Sequence, residues 1–302
     1  MKKVLSILLL SMSACLLSAQ TVDYVAVKRG SKTERTYYAE VGNMTVTSFT
    51  IEDTSGNVSY ISDDFNQTSY FEDSLLVRRV FVQSKSEPLA KEVATFRYEN
   101  GKLCEVSGKS FLGDRQVSSR YESHTFDTVA NKEYIYEYRD GKPESKTVKT
   151  YDFDHCLIKS ATYIVDCQKY SAEQDGKPTP VFEIKSSRSY VYDENSELIE
   201  TIDYVYDSEG VAQRILTFFD KNQNILASKV FDADDFLMSE TSYKYDRKGN
   251  ETQRVTVNYI EDGSKETLTT KNTYKYDRQG RVTLRENYYN GIRMFTDRTV
   301  YL

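Results

Sequence analysis

The chain has 302 residues, a formal net charge of −6 and a pI near 5.3, which excludes the clustered basic footprint of a nucleic-acid surface. Hydrophobic residues make up 39% and the mean hydropathy is −0.61, so any core is thin for this length. Tyr outnumbers the other aromatics, 25 against 14 Phe and no Trp; its ring packs on half-buried strand surfaces while its hydroxyl stays wet.

Lys2 and Lys3 precede an apolar run at 4–10 that is too short to span a bilayer. Leu17-Ser18-Ala19 before Gln20 predicts a signal peptide over 1–19. The alternative is Met12-Ser13-Ala14-Cys15, a lipobox-like stretch with Cys15 as the acylated residue. Both place the mature chain outside the cytoplasm: in the periplasm, at the outer-membrane surface or outside the cell. The mature chain keeps Cys104, Cys156 and Cys167, an odd number. An oxidising compartment favours a Cys156–Cys167 pair, against three free thiols.

Residues 20–95 alternate in the strand period, as at 43–51, with turn candidates at Asp53-Thr-Ser-Gly56 and Asp63-Asp64. They are expected to form a β cap on the repeat region that begins at residue 96. The one segment with a helical reading is 88–96, capped by Ser86.

From 96 on a phrase recurs. Tyr-Lys-Tyr-Asp-Arg-Lys-Gly-Asn at 243–250 returns as Tyr-Lys-Tyr-Asp-Arg-Gln-Gly-Arg at 274–281. Weaker copies open with Tyr151-Asp152, Tyr192-Asp193, Tyr206-Asp207, Phe219-Asp220 and Phe231-Asp232. Three residues after the Asp stands Gly210, Gly249 or Gly280, or else Ser196, Gln223 or Asp235. Asp at the head of a turn accepts from the backbone two residues on, and Gly three later supplies a positive φ. Each phrase therefore predicts a strand end, a tight turn and a new strand. The same grammar predicts turns at 99–101, 139–141, 175–178 and 261–263, with a two-residue hairpin at Asn290-Gly291. The sum is about seventeen turns and about eighteen antiparallel strands in up-and-down order. The expected fold is all-β, an elongated or partly wound repeat sheet with its repeat region at 96–302.

Tyr-x-Tyr-Asp-x-x-Gly-Arg at 274–281 resembles the YD repeat of RHS-type and teneurin-type proteins. That resemblance implies long β-sheets wound into a hollow shell. The chain departs from those proteins in its shortness and in lacking their Asp-Pro-containing self-cleavage motif and toxin tip. Tyr98-Glu-Asn-Gly-Lys-Leu103 and Tyr289-Asn-Gly291 resemble MORN-like repeats of the YwqK antitoxin type. Both resemblances imply repeated hairpins and binding surfaces, and neither implies catalysis.

A transmembrane barrel needs an unbroken apolar row on each strand. Lys229 and Glu286 interrupt the more apolar faces at 225–231 and 281–289, so a soluble sheet is expected. Only His124 and His155 exist, and no nucleophile elbow, zinc helix or phosphate loop occurs. Asp152-Phe-Asp154-His155 reads as a polar turn. No catalytic, cofactor-binding or metal-ligating residue is selected. The expected function is an exported binding or scaffolding protein with a protein or glycan ligand, no cofactor, no nucleic acid, and membrane contact only through a lipid anchor. The alternatives are a structural envelope component and a hydrolase using carboxylates from different strands. Raised carboxylate pKa values in a deep pocket would mark the hydrolase; a flat tyrosine-lined face would mark the binding protein.

Overall fold

The alternating Thr-, Tyr- and Val-rich segments build twenty strands. The computed structural model describes residues 27–38, 43–83, 85–174, 177–260 and 262–301, and only the backbone at Val27, 166–174 and 177–180. The strands are β1 (Val27–Tyr37), β2 (Met44–Asp53), β3 (Val58–Ser62), β4 (Phe65–Glu72), β5 (Leu75–Gln83), β6 (Ala90–Glu99), β7 (Lys102–Leu112), β8 (Arg115–Asp127), β9 (Lys132–Arg139) and β10 (Lys142–Tyr151). They continue as β11 (Leu157–Gln174), β12 (Lys177–Tyr192), β13 (Leu198–Asp207), β14 (Gly210–Phe219), β15 (Ile225–Asp232), β16 (Leu237–Tyr245), β17 (Glu251–Tyr259), β18 (Lys265–Tyr276), β19 (Val282–Tyr289) and β20 (Ile292–Tyr301). Each pairs antiparallel with the next in sequence, as the turn grammar implies.

The last strand also pairs with the first. Tyr37, Arg35 and Thr33 of β1 stand opposite Phe295, Asp297 and Thr299 of β20. At this seam Arg35 donates from Nε and Nη2 to the two Asp297 oxygens at 2.6 and 2.9 Å, and its guanidinium lies 4.4 Å from the Phe295 ring centroid. The sheet is thus a closed barrel, not the open or partly wound sheet expected. Closure also overturns the resemblance to YD-repeat and MORN-like proteins. The hairpins do not stack as a solenoid; they go once around one wall and return to the first strand.

The segment expected to be helical is strand from residue 90 on. Pairing on both sides decides it: β6 lays Val93 and Lys91 beside Val80 and Val82 of β5 and pairs with β7 on its other side, and a helix would break both ladders. Two more strands exist than the turn count gave. The turn expected at 175–178 falls partly on residues outside the description, as does the side chain of Cys167; Cys104 and Cys156 are free thiols.

Twenty strands enclose a lumen too wide for side chains to fill. Among the described residues no Cα atom comes within 8 Å of the far wall. The accessible area is 20863 Å², against about 13,000 Å² for a compact monomer of this mass. Among the described residues only Ile135 and Ala161 are buried hydrophobics. The wall is one sheet thick and wet on both sides. Side chains converge on a concave face, and six of the nine buried residues among the described ones, Ile135, Ser145, Thr201, Asn272, Asn287 and Asp297, share one face, which is the inner one. On β18, Lys271, Thr273 and Lys275 are exposed and point out, while Asn272, 5% exposed, points in.

Turns alternate between two rims. The terminal rim carries the start of β1, the end of β20 and the turns after even-numbered strands; the far rim carries the rest. Most copies of the aromatic-Asp phrase fall on the terminal rim. At 246–250, Asp246 Oδ1 accepts the N–H groups of Lys248 at 2.8 Å and Asn250 at 2.9 Å, and the Gly249 N–H returns to the Asp246 carbonyl at 3.1 Å. The same bonds recur at 53–57, 152–156, 193–197, 220–224 and 277–281, and once on the far rim at 232–236. The fourth residue has positive φ in every copy, +81° at Gly249, +80° at Gly280 and 61–64° at Ser196, Gln223 and Asp235. The ladder slips by one residue at the preceding aromatic, at Tyr151, Tyr192, Phe219, Phe231, Tyr245 and Tyr276.

Candidate binding site

The outer face of β8–β14 is tyrosine-lined. On β9, Tyr134, Tyr136 and Tyr138 share the outward face, with Ile135 buried between them. Tyr138 stands opposite Tyr121 of β8, ring centroids 5.9 Å apart. Tyr136 leads across Lys146 to Tyr163 and Ile184. The Lys146 ammonium lies 5.1 Å from the Tyr163 ring and 5.4 Å from the Phe182 ring. One row along, Tyr134, Val148, Ala161, Ser187, Tyr204, Arg214 and Phe231 run strand to strand. These rings are half-buried against cross-strand neighbours, each pair contributing about 0.2–1 kcal/mol to the wall. Tyr134, Tyr136, Tyr138, Tyr163 and Tyr204 keep part of their surface in solvent. Tyr121 is 39% exposed, and its hydroxyl donates to Glu105 at 2.9 Å, which raises the phenol's pKa. A row of wet ring faces with hydroxyl edges suits stacking against a flat ligand.

A second feature lies at the terminal rim. A cavity of about 940 Å³ opens between the β6–β7 turn and the β10–β11 turn, lined among others by Lys102, Leu103, His124, Phe126, Glu133 and Tyr151. Period 2 puts His124, Glu122, Glu133 and Lys149 on one face of three adjacent strands. His124 Nδ1 lies 2.8 Å from Glu133 Oε1 and Nε2 lies 2.7 Å from Glu122 Oε1. Both ring nitrogens are thus within hydrogen-bond distance of a carboxylate. Glu133 also accepts from Tyr151 at 2.8 Å and Lys149 at 3.1 Å. Burial pushes the Glu133 carboxyl up, but the bonds from His124, Tyr151 and Lys149 outweigh it and hold it below the usual range. Burial, and then the Glu133 charge, push the Tyr151 phenol up.

The sequence singled out His124 and His155 only as the sole histidines; the Glu122–His124–Glu133 cluster needed the register of β8 and β9. Both His124 nitrogens are taken by carboxylates, so neither is left for a hydroxyl or thiol. Cys104, in the same cavity, donates to the Arg97 carbonyl at 3.1 Å. Asp152 and Asp154 lie in the expected polar turn, with the Asp154 N–H on Asp152 Oδ1. Among the described residues no group of His, Cys, Asp and Glu is disposed to hold a metal ion.

Neither a family model nor a curated protein sequence matches the chain. Among solved structures it is similar to a porin-like protein from Bacteroides uniformis, at 11% identity and a TM-score of 0.30, covering 90% of this chain and 97% of that one. It is similar also to a porin-like protein from Bacteroides vulgatus, at 12% identity and a TM-score of 0.32, covering 92% and 99%. Likeness this distant leaves function to be argued from the chain's own residues.

Proposed function

We propose that the chain is an exported, non-enzymatic barrel of the cell envelope that binds a protein or glycan ligand along its outer tyrosine face. The observation that carries this is the wall itself, one sheet thick and wet on both sides, with aromatic rings gathered on the outside of β8–β14. The direction of the carboxylate shifts also supports it. A hydrolase using paired carboxylates needs one held protonated near neutrality. Among the described residues every resolved carboxylate shift is downward, Glu133 in the cavity included.

The wall also argues for water on its outer side. Lys229 stands beside Glu240 on the outer face at mid-strand, and Lys271 and Arg298 share that face away from the strand ends. A basic side chain at mid-membrane on a barrel's lipid face costs about 2–4 kcal/mol. The reading is therefore of a barrel in the aqueous envelope, free after cleavage at Gln20 or tethered through Cys15. Mass spectrometry of the mature N-terminus distinguishes the two; an intact Met1 on cytoplasmic protein overturns export.

The test of binding is retention of purified protein on immobilised envelope polysaccharide and, separately, on envelope protein extract. Tyr134→Ser/Tyr136→Ser/Tyr138→Ser should abolish retention on one of them while far-UV circular dichroism stays that of a β-barrel. Equal retention by the folded triple variant overturns the tyrosine face as the site. No retention of wild type on either leaves the purely structural envelope role in its place.

A further inference from the structure

Two apolar side chains on the terminal rim stand in water. Phe153 is 100% exposed and Val129 97% exposed. They occupy the tips of the neighbouring turns 127–131 and 152–156. Both tips are rigid. The Val129 and Ala130 N–H groups bond Asp127 Oδ1 at 2.9 and 3.0 Å, and those of Asp154 and Cys156 bond Asp152 Oδ1 at 3.0 and 2.8 Å. The tips are also tied together: the Tyr151 N–H bonds the Asn131 carbonyl at 3.0 Å, and the Asn131 amide donates to the Tyr151 and Asp152 carbonyls. A Phe ring carries roughly 200 Å² of surface, whose exposure on a rigid tip is costly.

The cavity of about 940 Å³ opens on the same rim, next to these tips; His155, two residues from Phe153, is part of its lining. Its wall offers Leu103 and Phe126 as apolar surface. Lys102 at its edge lies 4.6 Å from the Phe126 ring and has no carboxylate partner among the described residues. Asp154, beside Phe153 on the tip, has a side chain likewise without a cationic partner among them. Knob and socket, acid and base therefore sit side by side on one rim of one chain. That is the arrangement a two-fold axis makes self-complementary, each copy's knob meeting the other's socket. An anionic lipid surface fits less well, because Asp127, Asp152 and Asp154 flank the tips where lysines would be needed.

The geometry points to an end-to-end homodimer through the terminal rim, with Val129 and Phe153 of each copy seated in the other's cavity and Asp154 facing the partner subunit's Lys102. The outer tyrosine face stays free in this pair, so the dimer and the binding reading stand or fall separately.

Sedimentation equilibrium on the mature protein tests it. Wild type should self-associate to a dimer, and Val129→Ser/Phe153→Ser should be monomeric. Both positions are fully exposed, so this variant keeps the monomer fold. Phe153→Leu should retain the dimer. Lys102→Glu and Asp154→Lys should each weaken association about tenfold, and combining them should restore it. A wild type that stays monomeric at every concentration overturns the proposal. So does a dimer that persists unchanged in the Val129→Ser/Phe153→Ser variant.

Discussion

The two rims solve the same problem with different chemistry. Each must turn the chain back and tie one hairpin to the next. On the terminal rim six turns are Asp-led loops, at 53–57, 152–156, 193–197, 220–224, 246–250 and 277–281, beside two-residue turns at 73–74 and 100–101, and the ties are made by tyrosines before or near the turns. The Tyr245 hydroxyl donates to the Ile225 carbonyl at 2.9 Å, Tyr192 to Leu157 at 2.9 Å, Tyr301 to Val282 at 3.0 Å and Tyr98 to Leu76 at 3.1 Å. Tyr276 reaches Asp246 itself. On the far rim the two-residue turns 140–141 and 290–291 have positive φ at both positions, and the turn's own first residue makes the tie. Asp140 Oδ1 accepts the Ser119 N–H at 2.6 Å, and Asn290 Oδ1 the Thr269 N–H at 2.7 Å. Five of its seven copies put the aromatic-Asp phrase to lacing the terminal rim, while those at 206–207 and 231–232 turn the chain on the far rim. Strands β1–β7, which lack most of it, run in the same wall.

The largest expected difference is between Gly280 on the terminal rim and Gly291 on the far rim. Both have positive φ, +80° and +84°, so valine is strained at either by about 1–3 kcal/mol. An added Cβ at Gly280 also meets Lys248 Nζ at 2.8 Å, while at Gly291 it meets open space. Gly280→Val should also loosen the Lys248 bond to the Gly280 carbonyl, so it should cost more than Gly291→Val, and Gly280→Asn less than either. Thermal unfolding orders the three. Equal costs would mean that the rims are not distinguished by lacing.

Removing the turn acceptor comes next. Asp277→Ala frees the N–H groups of Gln279 and Arg281 and the Arg281 guanidinium; Asn290→Ala frees one N–H. The first is expected to lower the urea midpoint more than the second, because it frees two N–H groups and a guanidinium where the second frees one N–H. Urea unfolding of the two variants gives the comparison.

Acid should act on the terminal rim first. Burial pushes Asp246 up, but the Tyr276 hydroxyl and the turn N–H groups of Asn250 and Lys248 hold it at about 2. Asp193 and Asp277 are lowered chiefly by the N–H groups of Glu197 and Arg281, and Asp220 by the Asn224 side chain. A carboxylate whose folded pKa is depressed stabilises at pH above its ordinary value near 4 and loses that as pH falls toward 2. Hydrogen exchange across this window should show protection falling at 246–250 before 290–291. The smallest expected effect is Tyr245→Phe, about 0.5–1.5 kcal/mol, read by thermal unfolding and confined to β15–β16.

Local chemistry was legible in the sequence. The turns at 207–210, 220–223, 232–235, 246–249, 277–280 and 290–291 stand where Asp, Gly and Asn placed them, and Ser196, Gln223 and Asp235 take the left-handed conformation of the glycines they replace. Closure was not legible. It rests on Arg35 meeting Asp297, 262 residues away, and neither strand's composition distinguishes a seam from an edge. The segment 88–96 misled because a Ser cap and a Pro are equally at home before a strand. The rim cluster was hidden for a related reason: His124 and Glu133 are adjacent only after β8 and β9 pair, and Phe153 looked like part of a polar turn until its ring was seen in open water.

A wall one sheet thick leaves little apolar surface for unfolding to uncover. The heat-capacity increment of unfolding should then fall below the usual value of about 12–15 cal/mol/K per residue, which flattens the dependence of stability on temperature. Such a barrel should resist cold as well as it resists warmth, and calorimetry should record a shallow, broad stability curve in place of the steep dome of a protein built around an oily interior.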